Sequence, residues 1–306
     1  RNIIITPGSD SALFFSLIPF VEYGDEVMIV DPSYPNNFQA VEILGGVPVS
    51  VPVRPETGFE LEIEEFERRL TDKTKLVILT NPNNPTTVVY SRKSLEQLAA
   101  FIIKHDLLAI VDQAFEDIVY DGREMVSPGS LEGMLQKTVT IFSISKGMGL
   151  SGFRVGCIVA SDRLIDTLFA SAVSVVGATN TAAQLAAIAA YGKRDELIAE
   201  YSAIFDGRRR FVYDALSDIP GVRMQMPQSA FLSWIDVSQL GTSDEIVDYL
   251  VREAKVFVNS GNCYGSQGEG YIRLVQGCYA DDADIERAVL RIREALLKKS
   301  RELGIS

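Results

Sequence analysis

The 306-residue sequence predicts an α/β protein whose large domain has three layers, a mostly parallel seven-stranded sheet covered by helices on both faces. A smaller C-terminal α+β domain is expected to follow. Two observations predict this fold. Seven short runs rich in Val and Ile are apolar on both faces, as strands buried in a parallel sheet are, and segments with helical spacing separate them. In the second half, long helices and short strands follow each other in the order of an α+β domain.

The seven predicted strands lie in the first half of the chain. They are Ile3–Ile5, Val27–Val30, Val47–Val53, Leu76–Leu79, Leu108–Val111, Val139–Ile144 and Val155–Ala160. The intervening segments have helical spacing, as Leu95, Leu98 and Ile102 show.

The second half predicts longer helices and a second set of strands. The helices are Arg163–Ser174, Thr181–Tyr191, Asp195–Ser217, Ser243–Glu253 and Asp282–Leu303, and the strands are Val222–Met226, Ala230–Val237, Val256–Asn259 and Tyr271–Val275. We therefore expect a large domain of residues 1–190 and a small domain of residues 191–306.

Composition limits the classes of partner. The net charge of −12 and the pI of about 4.7 argue against nucleic acid and anionic membranes as partners. The basic cluster Arg208–Arg210 lies in a predicted helix, where we expect it to form a solvent-exposed face. Three scattered cysteines indicate reduced thiols and a cytoplasmic location rather than disulfides or a metal site.

Polar residues follow the first strands of the predicted sheet, where ligands collect in such folds. Residues 6–10 form a glycine turn before a helix expected to start near Ala12, and its free N–H groups offer a phosphate cradle. An ordinary helix cap by Ser9 or Asp10 would explain the same residues. Tyr34 lies in a loop between prolines, where it would stack on a planar ligand or simply cover the core.

Further polar residues follow the later strands. Asn84 begins the second of two Asn-Pro pairs, whose alternative role is a turn. Asp112 closes the fifth strand, where a helix cap is the alternative role. Lys146 follows Ser143 at the end of the sixth strand, before a glycine-rich loop and Arg154. Desolvation and a nearby cation lower the pKa of a lysine, which makes it a nucleophile able to form a Schiff base.

Together these groups define one ligand class. A phosphate cradle, a flat aromatic ring, a carboxylate and a lysine amine match a planar, phosphorylated aldehyde with a basic ring nitrogen. Pyridoxal 5′-phosphate has these properties, and a lysine Schiff base with an Asp at the ring nitrogen is typical of proteins that bind it.

The sequence resembles the class I/II aminotransferases among the fold-type-I pyridoxal phosphate-dependent enzymes, from Ile3 to the last helix. The resemblance is carried by Ser143-x-x-Lys146, Gly152-x-Arg154-x-Gly156, Asn84-Pro85-Thr86 and Asp112. It implies the pyridoxal phosphate-dependent transferase fold, transfer of an amino group between an amino acid and a 2-oxo acid, and a homodimer.

The resemblance also implies residue roles. Lys146 would be the catalytic lysine, which forms the aldimine and moves a proton. Asp112 would pair with the ring nitrogen, and Arg273 would bind the substrate carboxylate with Asn84. The implied cofactor-binding residues are Gly8, Ser9, Asp10, Tyr34, Asn84, Asp112, Phe115, Ser143, Lys146 and Arg154, with no metal.

Departures from the family pattern leave alternatives open. Phe115 stands where most of the family has a tyrosine that donates to the cofactor, and residues 173–180 contain no arginine for a second substrate carboxylate. The family's N-terminal arm is expected to be missing, because Arg1 directly precedes the first strand. One alternative is another reaction on an amino acid, such as β-elimination or decarboxylation. The other is a non-catalytic pyridoxal phosphate-binding domain or fragment.

Overall fold

A computed structural model describes residues 2–305, and its larger sheet has seven strands. The strands are β1 (Ile3–Thr6), β2 (Glu26–Asp31), β3 (Val47–Pro52), β4 (Thr74–Thr80), β5 (Leu108–Asp112), β6 (Thr138–Ser143) and β7 (Gly156–Val159). Their order across the sheet is β1-β7-β6-β5-β4-β2-β3, and only β7 runs antiparallel to its neighbours. The predicted strands and the mostly parallel arrangement are therefore confirmed.

Helices cover both faces of this sheet. They are α1 (Ser9–Leu17), α2 (Pro35–Ile43), α3 (Ile63–Arg69), α4 (Arg92–Lys104) and α5 (Asp162–Val175). Successive residues of β4 point into opposite cores: Val77 packs with α3 and α4, whereas Ile78 packs with α1, α2 and α5. Because both faces of these strands are buried, their sequences are continuous apolar runs.

A second, antiparallel sheet follows the long helices α6 (Thr181–Tyr191) and α7 (Arg194–Leu216). Its strands β8 (Arg223–Met224), β9 (Leu232–Asp236), β10 (Asn259–Ser260) and β11 (Tyr271–Val275) lie in the order β10-β11-β9-β8. It shares a core with α7, α8 (Ser243–Glu253) and α9 (Asp282–Glu302).

Two details differ from the sequence-based expectations. The predicted strand Val256–Asn259 is displaced, because Val258 packs into the core without pairing and β10 contains only Asn259 and Ser260. Helix α1 begins at Ser9 rather than near Ala12, and Gly8 is its N-cap.

The expected solvent-exposed face at Arg208–Arg210 is wrong for two of its three residues. Arg209 is fully buried, donates to the Asp121 carboxylate at 2.7 and 2.9 Å, and stacks on the Tyr120 ring at 4.1 Å. Arg208 is also buried and donates to Asp282 at 2.7 Å. These arginines fasten α7 to segments distant in sequence, and buried cations require such carboxylate partners.

The small sheet is fastened to the large one at the carboxyl end of β2. The buried Asp31 carboxylate accepts hydrogen bonds from the Ser266 N–H (3.0 Å), the Ser266 hydroxyl (2.8 Å) and the Gln267 N–H (3.1 Å). Trp234 of β9 and Tyr264 also pack in the core formed by β2, β4, α3 and α4. Small-sheet residues are thereby held over the carboxyl ends of the large-sheet strands. Between residues 2 and 305, no helix is both long and apolar enough to cross a membrane.

Candidate active site

A cavity of about 240 Å³ lies where the carboxyl ends of β4, β5 and β6 meet the small sheet. We call it the site cavity. It is lined by Ser9, Asp10, Tyr34, Thr80, Asn84, Asp112, Ala114, Phe115, Ser145, Lys146, Ser151, Arg154, Phe231, Leu232, Arg273 and Val275.

Lys146 presents its amine to the site cavity between two aromatic rings. The Nζ atom lies 5.6 Å from the centre of the Phe115 ring and 5.7 Å from that of Phe231. Burial lowers the pKa of this amine, and Arg273 and Arg154 lower it further, while Asp10 and Asp112 oppose the change. The neutral, nucleophilic form is therefore more accessible than in an exposed lysine.

Asp112 is a buried carboxylate with little compensation from the protein. Its side chain accepts one hydrogen bond, from the Ala114 N–H at 2.9 Å. Burial raises its pKa to about 6, a change that Lys146 and the Ala114 N–H partly oppose. A cationic N–H donor placed in the cavity would stabilise the ionised form.

The start of α1 and the Arg154 guanidinium form one corner of the site cavity. Gly8 has a positive φ of 88°, and a Cβ built on it would collide with the Arg154 guanidinium. Glycine therefore allows the guanidinium to approach the backbone at the helix N-terminus, where N–H groups and the helix dipole favour an anion. The alternative of a side-chain cap by Ser9 or Asp10 is wrong, because no side chain caps this helix.

Tyr34 lines the side of the cavity next to this corner. Burial, followed by the charges of Asp10 and Asp112, raises its pKa to about 12, so the phenol stays neutral. Asn36 donates to the Asp10 carboxylate at 2.8 Å and to the Tyr34 hydroxyl at 3.3 Å.

Arg273 reaches the cavity from the centre of the small sheet. Its Nη1 donates to Asn84 Oδ1 at 3.0 Å and its Nη2 to Asn259 Oδ1 at 2.9 Å. The guanidinium lies over the Tyr264 ring, 4.8 Å from the ring centre. A planar guanidinium fixed in this way suits a carboxylate ligand.

The family model described as "Aminotransferase class I and II" matches residues 1–292. This chain belongs to the class I and II aminotransferase family. It is 32% identical to aromatic-amino-acid aminotransferase 2 of Thermococcus litoralis, over 97% of this chain and 77% of that protein. It is also 32% identical to an aspartate aminotransferase of Pyrococcus abyssi, over 98% of this chain and 77% of that protein.

Solved structures agree with this membership. The aromatic aminotransferase of Pyrococcus horikoshii superposes with a TM-score of 0.92 at 31% identity, covering 99% of this chain and 80% of that one. The aspartate aminotransferase of Rhizobium meliloti superposes with a TM-score of 0.90 at 27% identity, covering 96% and 76%. The predicted fold class is thus confirmed, and the protein is an aminotransferase, an enzyme that transfers an amino group between an amino acid and a 2-oxo acid.

The site cavity brings together most of the residues singled out in the sequence. Two do not line the cavity: Gly8, whose backbone the Arg154 guanidinium approaches, and Ser143. The Ser143 hydroxyl oxygen instead accepts a hydrogen bond from the Ser145 N–H at 3.1 Å. A phosphate-binding role for Ser143 stays a prediction.

Sequence reasoning missed several residues that line the site cavity or hold its side chains in place. Phe231 and Leu232 come from β9 and the turn before it, and nothing local marks them as neighbours of a lysine 85 positions earlier. Asn259 was also missed, although its position directly opposite Arg273 follows from the pairing of β10 with β11. The place of Ser145 in the cavity lining could have been predicted, because Ser145 immediately precedes Lys146 in the sequence.

Proposed function

We propose that this aminotransferase binds pyridoxal 5′-phosphate in the site cavity, with Lys146 as the catalytic residue. The observation that carries the proposal is that the Lys146 amine, the Asp112 carboxylate and the Arg273 guanidinium all face this cavity. Each group suits a different part of the reacting molecules: an aldehyde carbon, a ring nitrogen and a substrate carboxylate.

The residues present fit this cofactor. The buried Asp112 carboxylate has room for an N–H partner, which a protonated pyridine ring provides. The N–H groups of Ser9 and Asp10, together with Arg154, would hold the phosphate, and the close approach of Arg154 to Gly8 places the guanidinium there. Tyr34 and Phe115 would contact the ring, and Asn84 would contact its phenolic oxygen.

In this proposal each of the residues has a separate role in the reaction. When bound, the cofactor supplies a ring that accepts the electrons released at the substrate Cα. Neutral Lys146 moves the proton at that carbon, and the rings of Phe115 and Phe231 exclude water around its amine. Arg273 binds the α-carboxylate and thereby fixes the substrate relative to Lys146.

We also propose that the protein is a homodimer in the cytoplasm. We propose that each chain is divided into a large domain of residues 1–190 and a small domain of residues 191–306. The division is supported by the positions of the two sheets, which end at Val159 and begin at Arg223. An exposed apolar face supports the dimer; it includes Ile3, Ile5, Phe169, Val173, Val176 and Ile188. The three cysteines are unpaired, as cytoplasmic thiols are.

The direct test is a screen of amino donors against several 2-oxo acids, combined with borohydride reduction of the cofactor-loaded protein. We expect amino transfer with at least one pair of substrates, and a reduced cofactor adduct on the peptide that contains Lys146. The Lys146→Ala variant should lose the adduct and at least about 100-fold in kcat, because it lacks the proton-moving amine.

The exposed Lys73 provides the matched control, and Lys73→Ala should keep both adduct and activity. An adduct on another lysine would overturn the role of Lys146. Cofactor uptake without amino transfer by any donor would overturn the reaction while leaving cofactor binding intact.

A further inference from the structure

Arg273 lacks the carboxylate contacts that the buried arginines Arg208 and Arg209 make. Arg209 pairs with Asp121 and Asp206, and Arg208 pairs with Asp282. At the edge of the site cavity Arg154 lies 3.7 Å from Asp10. For Arg273, by contrast, no carboxylate of residues 2–305 lies within ion-pair distance, and both hydrogen-bond partners are neutral amides.

The two amides hold the guanidinium from opposite domains. Asn84 follows β4 of the large sheet, whereas Asn259 lies on β10, directly opposite Arg273 in the strand pairing. Tyr264 supports the guanidinium face at 4.8 Å. A guanidinium has five N–H donors, so these contacts fix its plane and leave three donors free. One of them, the buried Nε–H, has no partner among the described residues.

The chemistry of an amide explains why asparagine suits position 259. An amide oxygen accepts a hydrogen bond and orients the donor without carrying a charge. A carboxylate at the same place would form a charge-assisted pair at about 2.9 Å and compete with any carboxylate ligand. A buried cation with only neutral partners retains an uncompensated desolvation cost, which an incoming carboxylate offsets.

We propose that Asn259 is a positioning residue, which fixes the plane of Arg273 while leaving its charge unpaired until the substrate carboxylate binds. The inference rests on the proposed function, because it takes Arg273 as the carboxylate-binding group. Asn259 thereby sets substrate affinity rather than the rate of the chemical step.

The test replaces the amide by the isosteric carboxylate in Asn259→Asp. We expect KM for the amino acid and for the 2-oxo acid to rise at least about 10-fold, with kcat within about 3-fold of the original, because binding to Arg273 is lost equally in the ground and transition states. Calorimetry with an unreactive 2-methyl amino acid should show the same rise in Kd. Asn259→Ala, which removes the contact without adding a charge, should raise KM by a smaller factor.

The matched control is Asn262→Asp, which adds the same charge on an exposed residue of the same segment. It should leave KM unchanged, and all three variants should bind the cofactor as the parent protein does. Equal KM values for Asn259→Asp and Asn262→Asp would overturn the proposal. So would a fall in kcat and in cofactor affinity that parallels the rise in KM, since that pattern marks a merely structural role.

The two proposals can fail separately. If no donor supports amino transfer but Asn259→Asp still weakens binding of the 2-methyl amino acid, the reaction is wrong and the positioning role stands. If Asn259→Asp does not fold, which a thermal melt reveals, Asn259→Ala decides: an unchanged KM there overturns the positioning role alone.

Discussion

Burial of Asp112 disfavours its ionised form, and this makes the stability of the folded protein depend on pH. Its ordinary pKa of 3.8 rises to about 6 on burial, so the native state binds a proton more tightly than the unfolded chain between these two values. Below pH 3.8 the group is protonated in both states and costs nothing. As the pH rises to about 6 the cost of the buried charge grows, and above that it is constant.

This predicts that Asp112→Asn stabilises the cofactor-free protein. The rise in pKa from 3.8 to about 6 corresponds to roughly 3 kcal/mol in the free energy of unfolding above pH 6, and to almost nothing below pH 4. Denaturant unfolding at pH 7.5 and pH 3.5 measures both values. The cofactor-loaded variant should nevertheless lose at least about 100-fold in kcat, because no carboxylate holds the ring proton.

The exposed Asp72 gives the control, and Asp72→Asn should change stability at neither pH. If Asp112→Asn is no more stable than its parent at pH 7.5, the buried charge is compensated by something in the fold, and the argument for a cationic ligand at Asp112 fails.

At the residue scale, the sequence was informative wherever a side chain directly follows a strand. Asp112 and Lys146 were found in this way, because parallel strands end at one edge. Asn259 and Phe231 could not be found, since their distance to the site depends on how the small sheet docks. The burial of Arg209 was missed for a similar reason: its partner Asp121 is 88 positions away in a loop.

Among the elements, the junction between β1 and α1 has a strict backbone requirement. We predict that Gly8→Ala raises the Kd for the cofactor at least about 10-fold, because its Cβ displaces Arg154 from the helix N-terminus. The alanine also adopts an unfavourable backbone conformation, with φ 88° and ψ 171°, which costs about 1–3 kcal/mol. Fluorescence titration of cofactor into the cofactor-free protein measures the affinity, and thermal melts measure the strain.

Gly24 offers a matched comparison for this element. It has a similar φ of 84°, but a Cβ there meets nothing within 4 Å. Gly24→Ala should therefore share the loss of stability and keep the affinity for the cofactor. Equal affinities in both variants would show that Arg154 does not depend on the space at Gly8.

Element boundaries were predictable where local signals are strong. Helix α8 has the predicted bounds, since Thr242 and Glu245 form a capping box at its start. Helix α1 was placed three residues late, because a glycine N-cap gives no side-chain signal. Strand β10 was misplaced because burial of Val258 resembles strand periodicity.

At the scale of the whole molecule, the apolar face that includes Ile188 predicts the assembly state. Ile188 of α6 is 68% exposed and lines an apolar groove with Ile3 and Ile5, which are also exposed. We expect the protein to have twice its chain mass of 33.6 kDa in solution, and Ile188→Asp to shift it towards the monomer. Light scattering coupled to size exclusion measures both.

Val251 on α8 is 41% exposed and lies outside this face, so Val251→Asp should leave the mass unchanged. A parent protein that is monomeric at micromolar concentration would contradict the dimer.

The layered architecture itself was predictable, because double-sided apolar runs require helices on both faces. The strand order was not. Strand β7 lies antiparallel between β1 and β6. This order depends on pairing between segments far apart in the chain, which no local sequence pattern encodes.

The contact at Asp31 has a consequence for the synthesis of the chain. The Ser50 hydroxyl, which also donates to this carboxylate, follows soon after it in the chain, but Ser266 and Gln267 are translated 235 and 236 positions later. At ordinary elongation rates the ribosome needs roughly 10 to 50 s to reach them. Throughout that interval three hydrogen bonds to Asp31 cannot form, and the core beside β2 and β4 lacks Trp234. The junction between the two sheets therefore closes only after Gln267 has been synthesised, long after β2 itself.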